Sequence, residues 1–214
     1  MIVAPFADGQ EEPAVRGFFH EPEGGGTHGL VLAHGAGSNC RAPLLVTVAE
    51  TFAAAGLAVL RIDLPFRQAR PHGPPFPAFA PRDQQGLARA VGVMRQRVAG
   101  RVFLGGHSYG GRQGSMIAAA EPTLADALFL LSYPLHPPRR PASLRTAHFQ
   151  DLRTPALFVH GTRDPFGSIE EMQRALALVV APVYLLPIEG AGHDLGKDGV
   201  AGRAVQAFRE FAGI

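Results

Sequence analysis

A chain of 214 residues, 46% of them hydrophobic and with a formal charge of +2, is sized for one domain with a sizeable core over residues 1–214, neither disordered nor fibrous. The charge is small and spread without runs of one sign, so nucleic acid is not an expected partner, and no apolar run reaches the length of a membrane span. Cys40 is the single cysteine, which excludes an internal disulfide and a cysteine-based metal cluster. With no leader pattern over Met1 to Asp8, a cytoplasmic protein is expected.

In chain order, residues 15–20 read as an edge strand and 21–28 as a glycine-rich, hairpin-like turn. A buried strand over 29–33 runs into His34-Gly35-Ala36-Gly37-Ser38-Asn39, followed by a helix over 42–55 and a strand over 57–62. Such a loop at the start of a helix is a natural anion cradle, because free N–H groups and the helix dipole both favour negative charge. Residues 67–82 hold Pro71, Pro74, Pro75, Pro77 and Pro81 around Phe76 and Phe79, and that composition predicts a long irregular loop without helix. Asp83 is placed to cap a helix over 84–98.

A strand over 101–104, a glycine-rich turn and a helix over 112–120 follow. Next come a strand over 127–132 and a proline-rich connection over 133–152 with a short helix at 143–150. The chain closes with strands over 156–160 and 183–186 and helices over 169–179 and 200–211. This alternation of strand and helix predicts an α/β fold, a mostly parallel sheet covered by helices on both faces.

The turn between the strand over 101–104 and the helix over 112–120 is Gly105-Gly106-His107-Ser108-Tyr109-Gly110-Gly111, a G-x-S-x-G match from Gly106 to Gly110. Strand, tight turn and helix is the context in which a serine is forced into a strained conformation with its hydroxyl exposed at the sheet edge. A glycine-rich turn with a surface serine is the plain alternative. Two further strand ends supply what the chemistry needs: Asp164 in Gly161-Thr162-Arg163-Asp164-Pro165-Phe166, and His193 in Gly190-Ala191-Gly192-His193-Asp194. A serine hydroxyl is too weakly acidic to attack unaided, so a histidine must take its proton, and an acid must hold that histidine in the right tautomer. Asp194 and Glu189 are weaker rivals for the acid, and Ser132-Tyr133-Pro134, at the other eligible strand end, offers no carboxylate.

These residues, together with His34-Gly35-Ala36-Gly37, resemble the α/β-hydrolase superfamily from about Leu30 onward. Arg61-Ile62-Asp63-Leu64-Pro65-Phe66 and Gly110-Gly111-Arg112 look like its small cap-less branch of dienelactone-hydrolase-like and testis-expressed hydrolase-like proteins. Dienelactone hydrolases proper use a cysteine where Ser108 stands, so that substrate does not carry over. The resemblance implies Ser108, Asp164 and His193 as catalytic residues. It also implies backbone N–H groups of Ala36 and Tyr109 as an oxyanion hole, with Gly37 as a substitute for Ala36. About twenty residues after Ser132 are too few for a helical cap, so a shallow pocket is expected, walled by Phe66, Phe76, Phe79, Tyr133 and Phe166. The expected activity is that of a serine esterase acting on a small-molecule ester or acyl substrate. A perhydrolase or C–C hydrolase with the same triad, and a catalytically silent interaction module, remain alternatives. No cofactor is expected, and no metal, since none of the nine histidines falls in a recognised ligand spacing.

Overall fold

The computed structural model describes residues 1–196 and 198–214. Along the chain come β1 (Ile2–Asp8), β2 (Val15–Glu21), β3 (Gly29–Ala33), α1 (Pro43–Ala54), β4 (Ala58–Ile62), α2 (Pro65–Ala69) and α3 (Ala80–Arg95). There follow β5 (Val102–His107), α4 (Tyr109–Ala120), β6 (Leu128–Leu131), β7 (Ala156–Gly161), α5 (Ile169–Leu176), β8 (Val183–Ile188) and α6 (Val200–Ala212). All eight strands form one sheet in the order β1-β2-β4-β3-β5-β6-β7-β8. The strands from β4 to β8 run parallel, while β1 and β2 are antiparallel to each other and β2 to β4.

The central strands are buried from end to end, as Gly29-Leu30-Val31-Leu32-Ala33 illustrates, because helices cover both faces. On one face Phe52 of α1 and Phe208 of α6 meet Phe129 edge-on, with ring centroids 5.1 and 5.2 Å away. On the other, Leu87, Ala90 and Met94 of α3, Ile117 of α4 and Met172 of α5 cluster with Val31, Leu104, Leu130 and Phe158. The strand order reverses between β3 and β5, since the chain steps outward from β3 to β4 and then returns past β3. The crevice beyond the strand ends at such a reversal is where open α/β sheets bind ligands. Ser108 and the 34–39 loop both lie there.

Several elements differ from expectation. β1 is an additional strand, paired in a hairpin with β2, with Pro5 opposite Phe18; proline is tolerated on an edge strand because its missing N–H faces no partner there. Residues 22–28 are no hairpin, for β2 pairs with β4 and this stretch carries the chain past β4 to β3. The proline-rich stretch is partly helical: Pro65 opens α2, Pro77 opens a single 3-10 turn over Pro77–Phe79, and Pro81 sits in the first turn of α3. First-turn N–H groups lack intrahelical partners anyway, so proline costs little at those positions. The irregular part shrinks to residues 70–76, and Asp83 lies inside α3 and is not its cap. Helix over 143–150 does not form; a 3-10 turn at Phe149–Asp151 takes its place. Among the described residues no helix is long and apolar enough to cross a membrane.

Candidate active site

β5 delivers the chain to the sheet edge at His107 and α4 begins at Tyr109, so Ser108 alone makes the turn, at φ 51° and ψ −113°. A non-glycine residue in such a conformation costs on the order of 1–3 kcal/mol and persists when its surroundings over-determine it. They do so here. Ser108 N–H donates to Leu131 O at 2.8 Å, and Ser108 O accepts from Arg112 N–H at 2.9 Å. A side chain on Gly110 would place its Cβ 2.6 Å from His34 O, so only glycine lets the turn pack this closely against the neighbouring loop.

Three strand ends bring one hydrogen-bonded chain together. His193, in the loop after β8, has Nε2 2.8 Å from Ser108 Oγ and Nδ1 2.8 Å from Asp164 Oδ2. The Asp164 side chain is fully buried, and its Oδ1 accepts the Phe166 N–H at 2.8 Å. With Nδ1–H donated to the carboxylate, Nε2 is left as the acceptor for the serine proton. The Phe166 ring lies against the His193 imidazole, centroids 4.2 Å apart. His160 also approaches Asp164, with Nε2 3.8 Å from Oδ2, but it donates to Gly167 O at 2.8 Å and burial lowers its pKa, leaving it neutral. Asp194, the rival acid, is exposed and accepts the Gly196 N–H within its own turn at 3.3 Å.

The loop after β3 faces this chain. His34, fully buried, has Nδ1 2.8 Å from Gly35 O and accepts the Leu64 N–H on Nε2 at 3.1 Å. Burial, the larger effect, pushes its pKa down to about 4, so it is neutral with the proton on Nδ1. Gly35 O also accepts the Ser38 N–H at 3.1 Å. Among the described residues the N–H groups of Ala36, Gly37 and Tyr109 have no protein partner. They are free donors beside the serine.

The expected pocket walls divide. Phe66 and Tyr133 are core residues, each 1% exposed: Phe66 packs edge-on against Tyr109 at 5.6 Å, and Tyr133 packs on Phe149 and donates to Arg145 O at 2.6 Å. They follow strand ends, but their rings turn inward to fill space beneath the loops. Phe76 is 57% exposed, stacked on Phe79 with Arg70 over its outer face. Phe166, of these five, packs against His193. A cavity of about 540 Å³ lies elsewhere, between the start of α1 and the stretch after His193, bounded by Gly35, Ser38, Leu44, His107, Asp194 and Val200. Sequence reading also missed Asp83, which accepts from Phe66 N–H at 2.9 Å and from Tyr109 Oη–H at 2.7 Å. In sequence an acidic residue two positions after a helix-opening proline matches a cap, and no local signal separates that role from a buried acceptor's. Among the described residues no group of three or more His, Cys, Asp or Glu is placed to hold a metal ion.

Residues 26–210 match the model of the alpha/beta hydrolase domain, and the chain belongs to that family. Its fold is shared with solved structures of low identity. Dienelactone hydrolase from Anabaena variabilis aligns over 98% of this chain and 96% of its own, at 23% identity and a TM-score of 0.76. Est1E from Butyrivibrio proteoclasticus aligns over 98% and 99%, at 16% identity and a TM-score of 0.79. An α/β serine hydrolase without a lid from Xanthomonas campestris aligns over 98% and 93%, at 14% identity and a TM-score of 0.70.

Proposed function

We propose that this protein is a serine hydrolase that cleaves a carboxylic ester or a related acyl compound through an acyl-enzyme. The observation that carries the reading is the unbroken chain from Ser108 Oγ through His193 to Asp164, each link 2.8 Å. In the first half-reaction Ser108 Oγ attacks the acyl carbon while His193 Nε2 takes its proton, and Asp164 stabilises the imidazolium that results. The carbonyl oxygen becomes an oxyanion, received by the N–H groups of Tyr109 and Ala36. His193 then returns the proton to the departing alcohol. Water repeats the sequence on the acyl-enzyme, giving the acid and free Ser108. Cys40, alone and buried, suits a reducing cytosol, where we place the protein.

The test is to incubate the protein with a fluorophosphonate probe and locate the adduct by mass spectrometry. The adduct is expected on Ser108, and Ser108→Ala is expected to lose about 10⁴- to 10⁶-fold in kcat toward an aryl ester with an unchanged melting temperature. Labelling elsewhere, or undiminished ester cleavage by the variant, would remove the assignment.

A further inference from the structure

Arg67, on α2, is 7% exposed, and its hydrogen bonds all go to main-chain carbonyls. Nε donates to Ser38 O at 2.7 Å, Nη2 to Ala36 O and to Gly73 O at 3.0 Å each, and Nη1 to Arg70 O at 3.1 Å. Among the described residues it makes no ion pair. Burying an unpaired cation is costly, so its carbonyl partners must compensate it closely. They belong to two separate stretches, the loop after β3 and the residues after α2, and a planar guanidinium is the side chain whose donors can hold both at fixed angles.

The consequence for the loop follows from peptide planarity. In a trans peptide the N–H points opposite to the C=O. Drawing Ala36 O toward Arg67 therefore turns the Gly37 N–H away from the guanidinium, and drawing Gly35 O toward His34 and Ser38 turns the Ala36 N–H away from them. The loop is left with two consecutive unpartnered donors. It also abuts the nucleophile, since a Cβ built on Gly35 would lie 3.5 Å from Ser108 Cβ.

We propose that Arg67 is a positioning residue for catalysis, whose guanidinium holds the 36–38 loop so that its N–H groups are set to receive the oxyanion before substrate arrives. This rests on the serine-hydrolase reading above. A group acting this way stabilises the tetrahedral state and leaves ground-state binding alone, because the oxyanion exists only after attack. A side chain that merely braced the pocket wall would affect both.

Arg67→Gln and Arg67→Lys are to be compared with the wild type on an aryl ester and on two inhibitors of one carbon skeleton. One inhibitor is a trifluoromethyl ketone, which adds to Ser108 and forms an oxyanion; the other is the corresponding secondary alcohol, which cannot. For Arg67→Gln, kcat is expected to fall on the order of 10²-fold with KM moving less than about threefold. The ketone should weaken by a similar factor and the alcohol should bind as before. Arg67→Lys keeps the charge, but a single ammonium cannot span both stretches, so a smaller loss of the same kind is expected. Unchanged kcat, or a loss expressed in KM with both inhibitors weakened alike, overturns the proposal. So does failure of both variants to fold, which would assign Arg67 to the fold at large. A wild type that takes no fluorophosphonate at Ser108 removes the underlying reading and this one with it, whereas a labelled wild type matched by both variants removes this one alone.

Discussion

The hydroxyl of Tyr109 donates to the buried carboxylate of Asp83 at 2.7 Å, so the residue directly after Ser108 is anchored by a side chain from a different helix. Burial pushes the Asp83 pKa up, against its hydrogen bonds from Tyr109 and the Phe66 N–H. Removing one of so few donors leaves a buried polar group short of a partner. Tyr109→Phe is expected to destabilise the protein by about 1–3 kcal/mol in urea unfolding. Combined with Asp83→Asn, the pair should show a coupling of about 1 kcal/mol. Strictly additive losses would mean that the contact contributes nothing.

Two neighbouring candidates for the acid are separated by a matched pair of substitutions. Asp164→Asn preserves shape but favours the wrong tautomer of His193, and kcat should fall about 10⁴-fold with the melting temperature little changed. Asp194→Asn alters an exposed turn and should leave turnover near the wild-type value. The opposite ranking in steady-state kinetics would transfer the role to Asp194.

Acid stability follows from buried histidines. Burial holds His20, His34 and His148 down at about 4 against the ordinary 6.5, with the charge of Arg61 adding to the effect at His20 and that of Arg112 at His148. Between those values the unfolded chain binds more protons than the folded one, so stability rises with pH across the interval. It is fully present above about pH 6.5 and is lost as pH falls through about 4. Urea midpoints at about pH 7, 5.5 and 4.5 should decline in that order, in two steps of roughly equal size. His148→Gln removes one of the titrating groups and should shrink the decline; an equal or steeper decline would contradict the assignment.

What could be read before any coordinates were the features written locally. Gly106-His107-Ser108-Tyr109-Gly110 sits between an apolar run and a helix-forming run, and Asp164 and His193 each follow a strand, so their convergence on one sheet edge follows from parallel topology. What stayed hidden depends on contacts distant in sequence. β1 is recognisable as a strand through its pairing with β2. Pro65, Pro77 and Pro81 break helices when interior and open them when first, and their offset from the helix start is not marked in composition. Phe66 and Tyr133 follow strand ends as pocket residues do, yet their rings turn inward. Arg67, between Phe66 and Gln68, carries no local sign that the carbonyls of Ala36 and Ser38 will meet it.

The loops that bear Asp164 and His193 are stitched to each other by two main-chain bonds and one to a threonine hydroxyl. Thr162 N–H donates to Ile188 O at 3.1 Å and Arg163 N–H to Ala191 O at 2.9 Å, while Thr162 Oγ1 takes the Gly190 N–H at 2.8 Å. Gly161 makes the approach possible, because a Cβ there would lie 2.6 Å from Gly192 O. The separation between Asp164 and His193 is therefore set mostly by backbone bonds that most side-chain replacements do not touch. An exposed neighbour such as Arg163, which takes part through its main-chain N–H, can change its side chain over evolutionary time without detuning the pair, while position 161 itself has almost no latitude.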